Sequence, residues 1–275
     1  MAVARKRHTQ RDSSSVLVAS DLHGYPDHDM LVKAVRRHRP DTVVLAGDVI
    51  SADVFSRWTR YQDSSYAEEI TRVRHTVQVM ASLVDKVILV EGNHEARVYR
   101  WAWNHGGSTL SEADRGMVYN TLPLHIIAAG IDNVVVATDT YPFVTSYGTV
   151  YDKTFECRFI ANLGDAYVGH PSFSLKGPSK SALRFYEWLD NWRLPLGLPE
   201  PFAVIMGHTH RLSMAYILGG HKVIAESGAM MHPKVVSYVF EQGGRGGPEP
   251  PVLGYVTFQQ ADGKTDVGSL QLHLI

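Results

Sequence analysis

The chain predicts an α/β fold arranged as a four-layer α/β/β/α sandwich, two mixed sheets packed together with helices outside. Three observations carry that expectation. The first two-thirds of the 275 residues alternates strand and helix signals, the pattern of a parallel sheet covered by helices. From Ala203 onward, short apolar runs separated by Gly-rich turns read as antiparallel meanders. Four polar strings, Asp21-Leu22-His23-Gly24, Gly47-Asp48, Gly92-Asn93-His94-Glu95 and Gly207-His208-Thr209-His210, each end a run of β-branched or apolar residues. Their carboxylate, imidazole and carboxamide groups therefore gather at the C-terminal strand ends, where open α/β sheets bind ligands.

Taken in order, residues 16–19 read as a strand and 29–38 as a helix, with Met30, Ala34 and Val35 on one apolar face and Pro40 stopping it. A strand over 42–46 precedes a helix over 66–84 that turns Ile70, Val73, Val77, Met80 and Val84 inward. A strand over 87–90 completes a βαβαβ run. Residues 95–103 look helical and aromatic, 133–138 and 167–169 look like strands, and 181–192 is an amphipathic helix with Leu183, Tyr186 and Leu189 as core candidates. Short strands follow at 203–206, 214–218, 223–225, 235–240, 252–259 and 269–275, with a loop from Gly243 to Pro248. No repeat or long linker divides the chain. The expectation is a frayed basic arm over 1–15, carrying Arg5, Lys6, Arg7 and Arg11, then one domain over 16–275.

Lys and Arg total 27 against 28 Asp and Glu, so the formal charge of −1 gives no global basic field for nucleic acid or anionic membrane. One cysteine, Cys157, allows no internal disulfide and suits a reducing compartment. The arm lacks the apolar stretch of a signal peptide, and no run approaches the roughly 20 apolar residues a bilayer span needs. A cytoplasmic protein is expected.

Oxygen and nitrogen ligands in this mixture suit two adjacent divalent ions better than a structural zinc, which prefers thiolates. In an extended segment residues i and i+2 face the same side, so Asp21 with His23, and His208 with His210, can address shared ions. Singly, each string is weak, because an Asp after a strand is usually a turn or cap residue. Their order and common placement give the signal.

That order, Asp-x-His, Gly-Asp, Gly-Asn-His-Glu, a later His and Gly-His-x-His, resembles the calcineurin-like metallophosphoesterase superfamily from Asp21 to His210. The resemblance implies one ion held by Asp21, His23, Asp48 and His210, and a second held by Asp48, Asn93, His208 and an intermediate histidine, with Asp48 bridging. For the intermediate ligand His170, between a strand-like stretch and a polar loop, is chosen over His125, which fits a packed core position, and His105, which fits a solvent-facing loop. The ions could be Mn, Fe, Zn, Co or Ni.

The resemblance further implies in-line attack on phosphorus by a hydroxide bridging the two ions, with His94 as the catalytic imidazole protonating the leaving oxygen. The plainer reading of His94 is a helix cap or a partner of Glu95. Arg97 and Arg211, like Lys176 and Lys180, could bind substrate phosphate or could be solvated surface cations. Gly47-Asp48-Val49-Ile50-Ser51 has Ser where the Ser/Thr protein phosphatase branch carries a second Asp, and no Arg-Gly follows. The group that orients His94 is therefore unidentified. The Gly-His-Thr-His ending resembles the phosphodiesterase, nuclease and small-molecule branches. The expected function is a phosphodiesterase acting on a phosphate ester, a nucleotide or a nucleic-acid end among the candidates. Alternatives are a phosphomonoesterase or nuclease of the same fold, or a non-catalytic scaffold. Loop aromatics (Trp101, Trp103, Tyr141, Phe143, Tyr147) could stack a base or simply pack.

Overall fold

The computed structural model describes residues 13–55, 65–98, 101, 123–137, 144–145, 148–149, 160–232 and 250–275. Two sheets form the frame. The first has six strands in the order β13-β12-β1-β2-β3-β4: β1 (Ser13–Ala19), β2 (Thr42–Ala46), β3 (Lys86–Val90) and β4 (Val134–Val136) are parallel, while β12 (Gly254–Ala261) runs antiparallel to both β1 and β13 (Lys264–Leu274). The second has five strands in the order β10-β11-β9-β8-β7. Its centre, β8 (Ala166–Gly169), β9 (Ala203–Met206) and β11 (Lys222–Ser227), is parallel, and β7 (Ile160–Leu163) and β10 (Leu212–Ile217) are antiparallel edges. A short hairpin joins β5 (Val144–Thr145) to β6 (Gly148–Thr149).

The pleat sorts side chains into three apolar clusters, because successive residues of a strand face opposite ways. Leu17, Val43, Leu45, Val87 and Leu89 face α1 (His28–His38), α2 (Tyr66–Ala81) and α3 (Pro123–Ala128), burying Leu31, Val35, Val73, Val77, Met80 and Ile127. Their neighbours Val16, Val18, Val44, Ala46, Ile88 and Val90 meet Val168, Ile205, Val223, Ala225, Phe258 and Leu270 between the sheets. On the far side, Tyr167, Val204, Met206 and Ile224 receive Phe185, Tyr186, Trp188 and Leu189 of α4 (Lys180–Leu196). These contacts follow the order helix, sheet, sheet, helix.

Local chemistry sets the helix starts. Asp27 accepts from the Met30 N–H at 3.2 Å, and Ser65 with Glu68 forms a capping box at the head of α2.

Several expectations need correction. β1 begins at Ser13, so residues 13–15 are strand rather than arm; Ser13 pairs with Ala261 of β12. Leu183 is 36% exposed: at 3.6 residues per turn it lies roughly 160° around α4 from Phe185, the buried residue two positions on. β7 and α3 were not expected. Within α3, Leu124 and Ile127 fill the core while His125 is only half-buried. Residues 95–98 and 101 are helical. Residues 1–12, the strand over 235–240, the loop from Gly243 to Pro248, Cys157, His105, Trp103, Tyr141, Phe143 and Tyr147 lie outside the described residues. No helix among the described residues is long and apolar enough to cross a membrane.

Candidate metal centre

Five turns at the C-terminal ends of parallel strands deliver the polar groups: Asp21 and His23 after β1, Asp48 after β2, Asn93 and His94 after β3, His170 after β8, and His208 and His210 after β9. The first two turns continue the β1–β2 ladder, with Asp21 N–H donating to Gly47 O (3.1 Å), His23 N–H to Asp48 O (2.9 Å) and Gly24 N–H to Val49 O (3.0 Å). Asp21, His23, Asp48, His208 and His210 all have positive φ, between 47° and 81°. Non-glycine residues adopt this left-handed region at a cost of about 1–2 kcal/mol each, and such outliers concentrate at functional sites.

The side chains converge. His210 Nε2 lies 3.1 Å from Asp21 Oδ1, and His23 Nε2 lies 3.0 Å from His210 Nε2. His170 Nε2 is 3.1 Å from Asp48 Oδ2 and 3.9 Å from Asp21 Oδ1. The opposite nitrogen, His170 Nδ1, donates to Ala46 O at 2.7 Å and fixes the ring. The ring presses so closely on Gly47 that a Cβ there would overlap its Cγ, which accounts for glycine before Asp48. Three overlapping groups could hold a metal: Asp21–His23–His210, His23–Asp48–His94 and Asp48–His170–His208, each with ligand atoms within 4.8 Å of one another. Asn93 Oδ1 and His208 Nδ1 are buried without a hydrogen-bond partner. Buried polar atoms are normally satisfied, so a donor set of carboxylate, imidazole and carboxamide with orphaned acceptors fits hard or borderline divalent cations.

Electrostatics support the same reading. Burial opposes ionisation of Asp21 and Asp48, yet facing imidazoles outweigh it: His210 and His170 at Asp21, His170 and His94 at Asp48, so both carboxyls stay well below the usual range. Burial also works against charge on His170, but Asp48 and Asp21 overcome it and push that imidazole up to about 10. Burial, then His94 and His210, holds His23 down. His208 falls to about 4 through burial and His170.

His94 is oriented by two groups that the motif does not reveal. Its Nδ1–H donates to the Ser51 carbonyl at 2.9 Å, and Arg97 Nη2 donates to its Nε2 at 2.9 Å. Burial holds this imidazole at about 4, with Asp48 opposing and Arg97 assisting. Arg97 also donates to Ser51 O (2.9 Å) and pairs with Asp53 (3.0 Å). Glu95, 1% exposed, accepts from the N–H groups of Asp48 (3.1 Å), Ile50 (2.9 Å) and Gly92 (2.7 Å) and thereby locks two motif turns together. Burial and Asp48 raise its carboxyl to about 8. Its place in Gly-Asn-His-Glu was the one sequence signal for that role. Arg211 donates to Leu175 O at 2.6 Å and faces buried Glu226 at 3.9 Å. Lys176 and Lys180 are exposed.

The family model for the calcineurin-like phosphoesterases matches residues 14–227, from the second residue of β1 to the last residue of β11. The chain belongs to the calcineurin-like phosphoesterase family. As a calcineurin-like phosphoesterase it is a metal-dependent phosphoester hydrolase, and its family uses divalent metals. β12 and β13 lie beyond the matched span and complete the first sheet of this family member. Its similarities to solved structures are distant. A metallophosphoesterase from Sphaerobacter thermophilus is 17% identical over 95% of this chain and 88% of that one, with a TM-score of 0.37. A protein serine/threonine phosphatase from Saccharomyces cerevisiae is 13% identical over 95% and 80%, with a TM-score of 0.40. A phosphopantetheinyl hydrolase from Mycobacterium tuberculosis is 13% identical over 78% and 89%, with a TM-score of 0.34. No curated protein matches the chain significantly.

Proposed function

We propose that this phosphoesterase is a binuclear phosphodiesterase. One ion is held by Asp21, His23, Asp48 and His210, the other by Asp48, Asn93, His170 and His208, and His94 is the catalytic imidazole. When bound, the ions neutralise the non-bridging phosphoryl oxygens and supply the nucleophile. Asp48 and Asp21 stay ionised to hold the ions. The His94 and His210 side chains keep 14% and 16% exposure while those of Asp21 and His170 keep none, so the site is open on the side of His94 and His210. A phosphoryl anion arriving beside Nε2 would draw the Arg97 Nη2 donor onto itself and favour the imidazolium, so a proton taken from solvent at Nε2 would be ready for the leaving oxygen.

The observation that carries the diesterase reading is the state of the two arginines. A phosphomonoester bears about −1.5 to −2 charges near pH 7 and gains most from an uncommitted guanidinium. Arg97 is instead committed to Asp53, Ser51 O and His94, and Arg211 to Leu175 O beside Glu226. That balance suits a monoanionic diester. With manganese loaded, kcat/KM for bis-nitrophenyl phosphate should exceed that for nitrophenyl phosphate by at least about tenfold, or about 1.4 kcal/mol. A preference for the monoester would overturn the assignment. Cyclic nucleotides, single-stranded DNA and nucleoside monophosphates are the natural substrate panel, and a single cysteine favours a reducing, cytoplasmic setting.

Metal uptake should also carry a proton signature. An ion needs neutral imidazole, and His170 holds its proton up to about pH 10. His23 and His208 are shifted toward the neutral form, and Asp21 and Asp48 toward the ionised form. Binding at the His170 site should therefore release the His170 proton, and affinity there should rise about tenfold per pH unit through neutrality. Calorimetry in buffers of different ionisation enthalpy reads that release. Uptake with no proton released would remove His170 from the ligand set.

A further inference from the structure

His94 is held by a peptide carbonyl rather than a carboxylate, and a carbonyl is only as fixed as its own peptide. Ser51 O accepts from both His94 Nδ1 and Arg97 Nη1, each at 2.9 Å, and Ser51 Oγ donates to His23 O at 2.8 Å. Behind that carbonyl stands Glu69 of α2. Its carboxylate accepts from the Ser51 N–H and, at 3.2 Å to Oε2, from the Ala52 N–H, where φ is 50°. Together with Glu95, it captures the N–H groups of Asp48, Ile50, Ser51 and Ala52 between two buried carboxyl groups.

Glu69 is not an ordinary first-turn acid. Glu68, beside it, serves the helix N-terminus through the capping box. Glu69 is only 4% exposed, a costly position for a carboxylate without compensating donors. It also lies against Gly24, where a Cβ would overlap Oε1, so glycine at that position after His23 is required by this side chain as well as by its φ of +69°. Arg72, three residues on, donates to Gly24 O at 2.6 Å and braces the same corner.

We infer that Glu69 is a positioning residue for the catalytic imidazole. It fixes the Ser51 peptide so that its carbonyl holds the Nδ1–H of His94, leaving Nε2, which accepts from Arg97 Nη2, as the nitrogen a substrate would meet once that bond gives way. The functional half of this inference rests on the proposed role of His94.

Glu69→Gln tests it, because an amide offers an acceptor to one N–H and turns a donor toward the other. In zinc-loaded protein, ¹⁵N NMR should show the single Nδ1–H tautomer of His94 giving way to a mixture. Turnover of alkyl diesters should fall roughly tenfold while that of nitrophenyl diesters changes less than about twofold. Glu69→Gln added to His94→Ala should cost nothing further, since both act through one group. An unchanged His94 tautomer, or equal losses for all leaving groups with an intact tautomer, overturns the inference. A disturbed tautomer with an unbiased leaving-group series in both single variants keeps Glu69 as a positioning residue and removes His94 as the acid. Should Glu69→Gln not fold, Glu69→Asp, which withdraws the carboxylate by one methylene, should disturb the tautomer in the same way. A wild-type pattern there also overturns the inference.

Discussion

Asp48→Asn is expected to lower kcat by about 10³-fold and to leave about one ion per chain in place of two. The change is nearly isosteric, so the backbone has little reason to move: the amide oxygen can still accept from the His94 N–H, which now meets Asp48 Oδ1 at 2.9 Å. What disappears is the anionic oxygen that faces His170 at 3.1 Å and His94 at 3.7 Å. Asparagine cannot offer one oxygen to each of two cations, and it leaves His170 without its nearest counter-charge. Losing one ion removes several kcal/mol of transition-state stabilisation, and about 4 kcal/mol corresponds to that thousandfold loss. Metal analysis and turnover on the same sample decide the matter. Two ions retained with full activity would show that the carboxylate does not bridge.

His94→Ala should separate substrates by their leaving groups. A positioned acid contributes roughly 10²–10⁴-fold where the departing oxygen needs a proton, so alkyl diesters should lose that much. Nitrophenolate departs unaided and should lose less than about tenfold. The variant should fold, because Arg97 keeps its bonds to Asp53 and the Ser51 carbonyl. A uniform loss across the series would assign His94 to binding or to charge stabilisation instead.

The contrast between what the sequence disclosed and what it concealed has a physical basis. Asp21, His23, Asp48, Asn93, His94, His208 and His210 stand in short strings at strand ends, where a polar residue after an apolar run is conspicuous, and the structure gathers all but Asn93, whose Oδ1 is buried without a partner, into groups with His170. Strands β1, β2, β3 and β9 were legible because their residues are buried on both faces and read as unbroken apolar runs. Strand β7, Ile-Ala-Asn-Leu, was hidden by its brevity and its asparagine at a sheet edge. Leu183 misled because apolar character alone does not fix helix phase. Glu69 and Ser51 were silent for a deeper reason. They act through backbone N–H and carbonyl groups, which every residue has, so their role exists only once α2 and the turn after β2 have met.

The left-handed backbone at Asp21, His23, Asp48, His208 and His210 bears on how this protein would respond to artificial evolution. Glycine occupies that conformation far more cheaply than any of these residues. Breeding the chain for heat resistance alone would thus reward glycine at His208, whose buried Nδ1 has no hydrogen-bond partner to lose, and so disarm the site; a campaign toward a hardier catalyst must score reactivity in every round.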